Sequence, residues 1–194
     1  RLEFGAQARV LNRDILEVDL AVLFPGERVT AAGNLPYHIS KPLVDWLIAQ
    51  NRRIAVAVVM LQKDFVDKIL AQPGGKKYNA QSVAFQMLFA ARRCFDVPAA
   101  AFAPRPKVIS TVITARPAKP PVKDVEGFYG FVRQCFSERR KTLANNLFPM
   151  PAAMLAPALA AVGAGAQARA EQLELERFVA LWRSLADEVE KESR

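Results

Sequence analysis

Cysteine, histidine and long apolar runs are what this chain has least of, and each shortage removes a class of function. Its two cysteines, Cys94 and Cys135, stand 41 residues apart without a companion pattern. Neither a disulfide framework nor a zinc ribbon is written there, and both are expected to be reduced thiols in the core. With His38 as its one histidine, the chain offers no metal constellation and no Ser/His/Asp or Cys/His arrangement for nucleophilic catalysis. The longest apolar run, Ile54 to Leu61, has eight residues, against the roughly 18 that a membrane span requires. Arg1-Leu2-Glu3-Phe4 leads into charged sequence, so no signal peptide is expected. Together these set a cytoplasmic expectation, with no membrane and no metal as partners.

What is present is apolar bulk and a localised positive charge. A length of 194 residues with 52% hydrophobic content is enough for a sizeable core, in one domain with an appendage or in two small ones. Between Lys41 and Lys141 there are 18 Lys/Arg against seven Asp/Glu, whereas the last 24 residues carry an acidic excess. A basic centre so concentrated suits a polyanion, nucleic acid foremost; the plainer alternative is charge that keeps the chain soluble.

Gly33-Asn34-Leu35-Pro36-Tyr37 is the stretch with the most chemistry in it. Arg28 to Ala32 reads as a strand leading into this turn, and Ser40 is placed to cap a helix with Pro42 in its first turn and Leu43, Trp46 and Leu47 on one face. The turn therefore lies at the carboxyl end of a strand, where open α/β sheets bind ligands. Asn34 offers a side-chain carbonyl, and Pro36, lacking an N–H, leaves the Leu35 carbonyl free to accept. Two acceptors can grip one exocyclic amine while Tyr37 presents a flat face for stacking. The target is then adenine or a similar amino-substituted ring.

The rest of the chain supplies a frame. Ala8 to Leu11 reads as a strand, with Asp14 in the loop after it, a turn or helix-cap residue by type. Ile54 to Leu61 is continuously apolar, the pattern of a parallel-sheet strand covered by helices on both faces. Gln62 to Ala71 carries Phe65, Val66, Ile69 and Leu70 on one stripe. Pro73-Gly74-Gly75 ends it, and Lys76-Lys77-Tyr78 follows in a loop that is either a phosphate clamp or a solvated turn. Ser82 to Ala91 is expected to be helical, Arg93 to Val97 extended, and Lys107 to Ala115 a strand. Phe102-Ala103-Pro104-Arg105-Pro106 enters that last strand as a stiff loop, since each proline fixes its own φ; on its residue type alone Phe102 is a core side chain. Residues 117–123, Pro-rich and charged, form a linker. Beyond it, Phe128, Phe131, Val132, Cys135 and Phe136 form one helical stripe and Phe178, Leu181, Trp182, Leu185 and Val189 another. Arg139-Arg140-Lys141 is expected to open a shorter helix ending near Leu147. A cationic triplet there opposes the helix dipole, which points to phosphate contact or to a solvated turn. Gly163-Ala164-Gly165-Ala166-Gln167-Ala168 fits G-x-G-x-x-A but follows an Ala-rich helical stretch, so it is a linker rather than a dinucleotide site.

Asn34-Leu35-Pro36-Tyr37 resembles motif IV of the amino-methyltransferases. The likeness continues through Met60-Leu61-Gln62-Lys63, Phe102 to Val108 and Arg139 to Leu147, and over nearly the whole chain it is similar to the KsgA-type dimethyladenosine transferases of small-subunit ribosomal RNA. The resemblance implies a partial doubly wound, Rossmann-like α/β methyltransferase sheet over residues 1–116 and a small all-helical, RNA-binding carboxyl-terminal domain over 124–194. It implies S-adenosylmethionine as cofactor, with Asp14 on its adenine and Asn34 beside it, and the small ribosomal subunit (16S rRNA) as partner of a monomeric enzyme. The product would be two adjacent dimethylated adenosines near the RNA 3′ end, formed during ribosome assembly. Catalytic roles fall to Asn34, Leu35, Pro36, Tyr37 and Phe102, with Phe102 stacking opposite Tyr37. RNA contacts fall to Lys76, Lys77, Arg105, Lys107, Arg139, Arg140 and Lys141. His38 stands where the family commonly has Asn and is not read as a base, because methyl transfer to an amine needs alignment more than prior proton removal. The family's Gly-rich loop and ribose-binding acid, expected before Asp14, are not found there, which predicts a chain short by about a quarter of the family's length, inactive by itself and weak toward the cofactor. Two other readings share the motifs: a large-subunit (23S) enzyme of the macrolide-resistance type, and a non-catalytic ribosome-binding factor.

Overall fold

Ile54–Gln62 (β2) is the strand against which the sheet is built. In the computed structural model, which describes residues 10–192 with side chains as far as Ala186, it pairs on one side with Val29–Asn34 (β1), parallel, and on the other with Ser110–Pro117 (β4), antiparallel. Phe89–Val97 (β3) closes the order β1-β2-β4-β3 by an antiparallel ladder to β4. The helices are α1 (Leu20–Leu23), α2 (Ser40–Ala49), α3 (Lys63–Ile69) and α4 (Ala80–Leu88) around the sheet, then α5 (Val125–Cys135), α6 (Leu143–Asn146), α7 (Ala152–Ala161) and α8 (Leu175–Glu192).

Burial along β2 alternates, which corrects the expectation of cover on both faces. Ala57, Val59 and Leu61 are buried and share a face with Ile113 and Ala115 of β4, whereas Val56, Val58 and Met60 are only half-buried. The reason is that the apolar stripes of α2, α3 and α4 join the first face in one core. Leu43, Trp46 and Leu47 are buried there as their spacing predicts, and the Trp46 indole N–H donates to the Val18 carbonyl at 2.8 Å.

Other boundaries moved for local reasons. Ser40 is the first residue of α2 rather than its cap: a 3₁₀ turn, Tyr37–Ile39, runs straight into the helix, and the Ser40 hydroxyl donates back to the Tyr37 carbonyl at 2.8 Å. The helix expected from Ser82 starts at Ala80, because Asn79 and Ser82 form a reciprocal capping box, and stops at Leu88. Phe89 is drawn into β3 opposite Pro117 instead. The last strand starts at Ser110, not Lys107. Val10 and Leu11 belong to no strand and are exposed, while Ala8 and Arg9 lie outside the described residues. Cys94 is exposed rather than a core thiol, since the β3–β4 register slips between Arg93 and Phe95 and places it in a bulge on an edge strand. Cys135 is buried, and desolvation pushes its thiol up to about 12, so it stays protonated and inert.

The helical part continues the same core. Phe128, Phe131, Val132 and Cys135 are buried on α5, and Phe178, Leu181 and Leu185 on α8; the Val189 side chain lies outside the described residues. Trp182 meets Phe128 edge-on at 6.2 Å between ring centroids. The 117–123 segment is fixed at both ends: the Ala118 N–H donates to Leu88 at 2.8 Å, and the Arg183 guanidinium donates to the Pro121 carbonyl. Gly163 follows α7 at φ +67° and turns the chain toward α8, as a helix-ending glycine does.

Candidate functional site

At the carboxyl end of β1 the chain leaves the sheet, and its next residues form one wall of a cleft of about 330 Å³. Asn34, Leu35, Pro36 and Tyr37 line that wall, and Phe102, Ala103, Pro104 and Pro106 line the other. The last residue of β1, the three that follow it and a loop 65 positions beyond Tyr37 thus meet because only β2 separates β1 from β4, whose amino end that loop enters. Both rings are half-buried, as side chains with one face packed and one open to the cleft would be.

Each wall is positioned by identifiable contacts. Asn34 pairs with Met60 through the ladder, so the backbone of β1 is held to its last residue. Its carboxamide makes no hydrogen bond to the described residues. A Cβ on Gly33 would come within 3.2 Å of the Leu35 side chain, so the position before Asn34 favours glycine for the close approach of Leu35. The Tyr37 hydroxyl shares a hydrogen bond of 2.7 Å with the hydroxyl of Ser110, which is fully buried at the start of β4. That bond ties the first wall to the strand that carries the second. Ser110 drew no attention in the sequence because its partner is 73 positions away. Ser110→Ala is expected to lower the unfolding free energy by about 0.5–1.5 kcal/mol, the net worth of a hydrogen bond. Chemical denaturation checks this, and an unchanged midpoint and slope would show that the bond positions nothing.

The cations expected to contact RNA divide into available and committed ones. Arg105 and Lys107 are exposed in the loop that carries Phe102. Lys76 is exposed in the turn before α4. Lys77 is not free in the same sense: its ammonium sits 2.7 Å from Asp64 and 2.8 Å from Asp67, and Arg93 also pairs with Asp67. The Lys77 hydrogen bonds hold both carboxyls below their ordinary range and raise Lys77 in turn. The neighbouring Tyr78 is buried, donates to the Leu173 carbonyl at 3.1 Å and meets Phe136 edge-on, so the aromatic of that loop belongs to the core.

Arg139, Arg140 and Lys141 do not open a helix. They occupy an exposed turn between α5 and α6, and Thr142 caps α6 after them. The turn is nonetheless fixed from below, where the buried Asn146 side-chain amide donates to the Cys135 carbonyl at 2.6 Å and the Glu138 carbonyl at 3.1 Å. Three cations are thereby presented on a braced loop with one acidic neighbour, Glu138.

Asp14 lies outside the Asn34 cleft and caps a 3₁₀ turn, its Oδ1 accepting from the Leu16 N–H at 2.9 Å. Its other oxygen is unbonded among the described residues. The Asn34 carboxamide and the Asp14 carboxylate are both exposed polar groups, the first a donor and acceptor and the second an acceptor. Among the described residues no group of three or more His, Cys, Asp or Glu side chains is placed to hold a metal ion, and no helix is long and apolar enough to cross a membrane.

Known proteins can be set beside this arrangement. The family model described as ribosomal RNA adenine dimethylase matches residues 1–187. A protein of Acidobacterium capsulatum named ribosomal RNA small subunit methyltransferase A is 40% identical over 186 residues, covering 92% of this chain and 65% of the relative. Its namesake in Desulfitobacterium hafniense is 38% identical over 183 residues, covering 91% and 66%. The chain thus spans just under two thirds of the length of these curated relatives. Among solved structures, a dimethyladenosine transferase from Plasmodium falciparum superposes with a TM-score of 0.77 at 22% identity, over 91% of this chain and 72% of that one. The 23S rRNA methyltransferase ErmE superposes at 0.69 and 24% identity, over 91% and 71%. At such identities the superpositions establish the methyltransferase fold. The sequence matches carry further, and by them the chain belongs to the ribosomal RNA adenine dimethylase family.

Proposed function

We propose that this chain carries the target-base pocket and the RNA-docking surface of an S-adenosylmethionine-dependent enzyme that dimethylates two adjacent adenosines near the 3′ end of small-subunit (16S) ribosomal RNA. The enzyme would act as a cytoplasmic monomer during ribosome assembly. The observation that carries this reading is the single cleft at the carboxyl end of β1 that brings Asn34, Tyr37 and Phe102 together. A base inside a helix cannot reach such a cleft, so the target adenosine is taken out of its stack. Tyr37 and Phe102 close on its two faces. The Asn34 side-chain carbonyl and the Leu35 main-chain carbonyl accept from the exocyclic amine and aim its lone pair, with Pro36 keeping the turn free of a competing donor. The cofactor, when bound, supplies an electrophilic methyl group on sulfur, and Asn34 and Asp14 are the residues here that would hold it. The amine loses its proton only after it gains the methyl, so alignment is the main task of these side chains.

Incubating small subunits and S-adenosylmethionine with a version of the chain extended to its relatives' length, then mapping modified bases, tests the reading. Paired dimethyladenosines near the 16S 3′ end are expected. Modification of large-subunit RNA instead, or tight binding without any methyl transfer, would replace it with a 23S enzyme or a non-catalytic assembly factor.

Phosphate contact is assigned to Lys76, Arg105, Lys107 and the Arg139–Lys141 turn, with Lys77 contributing less because two carboxylates already hold it. Replacing Arg139, Arg140 and Lys141 by Gln is expected to reduce the slope of log K against log salt by about two to three units, one counterion or slightly less per lost contact. An unaltered slope would make the triplet a solvated turn.

A further inference from the structure

At the other end of the sheet from the Asn34 cleft, the amino ends of β1 and β2 and the carboxyl end of β4 border a larger depression of about 920 Å³. Arg28, Arg52, Lys119, Lys123 and Arg183 line it, and among the described residues no carboxylate does. All five are exposed, and none forms an ion pair among the described residues. Some cations elsewhere are committed instead: Lys41, Lys63, Lys68, Lys77 and Arg93 each face an aspartate, while Lys76, Arg105, Lys107 and the Arg139–Lys141 turn share the unpaired state of these five. Among the described residues, Lys63, Lys68, Lys77 and Arg93 on the α3–β3 side have carboxylate partners and the five cations of the depression have none.

Two of the five are also held in place. Arg28 donates from Nε and Nη2 to the Ile54 carbonyl, at 3.1 and 2.7 Å, and Arg183 donates to the Pro121 carbonyl. A carbonyl fixes a guanidinium without cancelling its charge, and its remaining N–H groups keep the planar fork that suits a phosphate. Pro117, Pro120 and Pro121 make the rim stiff, so little ordering entropy is lost when a ligand arrives. No aromatic ring lines the depression, which removes base stacking. What remains is a surface for sugar-phosphate backbone that is indifferent to sequence.

We infer that this depression is a second RNA-docking site, taking phosphodiesters of the same RNA whose target base enters the Asn34 cleft. The inference rests on the RNA-binding reading given above. The six residues of β1 separate the two sites by roughly 20 Å at about 3.3 Å per residue, so the phosphates held here belong to a segment other than the target nucleotide. The depression adds affinity and salt dependence, while choice of base stays with Asn34, Tyr37 and Phe102.

The test is the variant Arg52→Gln/Lys119→Gln/Lys123→Gln, which leaves Arg28 and Arg183 to hold their carbonyls. Its binding to a 3′-terminal fragment of small-subunit ribosomal RNA is titrated from low to high salt beside the parent chain. The expected result is a slope shallower by about two to three units, with an unchanged preference for the intact fragment over one made abasic at the target adenosine. Exchange protection of the Lys119, Val122 and Lys123 amides on RNA binding by the parent chain is expected in parallel, and it does not depend on the variant's folding. An unchanged slope together with unprotected amides, in a parent chain that binds the fragment with a clear salt dependence, would overturn this site and leave the RNA reading standing. A parent chain with no affinity for the fragment would overturn both.

Discussion

Removing both rings, Tyr37→Ala with Phe102→Ala, is expected to weaken capture of the target adenosine by more than either single loss of roughly 1–3 kcal/mol but by less than their sum of about 2–6 kcal/mol. In the proposed sandwich the two rings stack on a single base, so the double loss should fall short of the sum of the single losses. Stability should fall as well, by at least about 0.5–1.5 kcal/mol for the Tyr37–Ser110 bond, since Tyr37→Ala leaves the buried Ser110 hydroxyl without that partner. The measurement is a comparison of dissociation constants for RNA with an adenosine and with an abasic nucleotide at the target position. In the parent protein the intact RNA should bind more tightly; in the double variant that difference should collapse, while the salt slope set by the cations stays where it was. A preserved difference would mean that the base is held elsewhere.

How much of this was legible in the sequence depended on how far apart the cooperating residues are. The Asn34–Tyr37 wall could be read because its acceptor, its proline and its ring are contiguous, and the α5 and α8 stripes because 3.6-residue spacing is local. Ser110 could not be read as a support for Tyr37, since only the β1-β2-β4 order brings that hydroxyl under the ring. Cys94 was misplaced for a related reason: a bulge is a property of two paired strands, and nothing in Arg93-Cys94-Phe95 specifies the slip against β4. The commitment of Lys77 to Asp64 and Asp67 depends on how the turn before α4 folds back over α3, 10 to 13 positions earlier. The five-cation depression is assembled from the starts of two strands, the 117–123 segment and α8. Composition revealed the basic excess that feeds it but not which cations escape pairing. The cationic triplet was legible as charge and misread as helix, because Thr142, a better cap than any of the three, lies just after it.

Asn34→Ala is expected to act on the chemical step, lowering single-turnover methylation by about a hundredfold in a version of the chain extended to its relatives' length, the scale of effect that follows from misaligning a reacting group. At 1.36 kcal/mol per factor of ten this is about 2.7 kcal/mol of barrier. The backbone argues that the effect will be specific. Asn34 is held through its ladder pairing with Met60, which a side-chain truncation leaves untouched, and its carboxamide has no structural bond to lose among the described residues. The stacking rings and the cations that carry RNA affinity are unaltered as well, so the dissociation constant for RNA should stay within about twofold while turnover falls. Asn34→Asp sharpens the test. It keeps an acceptor at the same place and adds a negative charge beside the amine, so a purely geometric acceptor role predicts partial recovery over Ala. A role in which the amide N–H₂ must also donate predicts none. Full turnover by Asn34→Ala at saturating RNA and cofactor would remove Asn34 from the reaction and leave the Leu35 carbonyl as the acceptor that aims the amine.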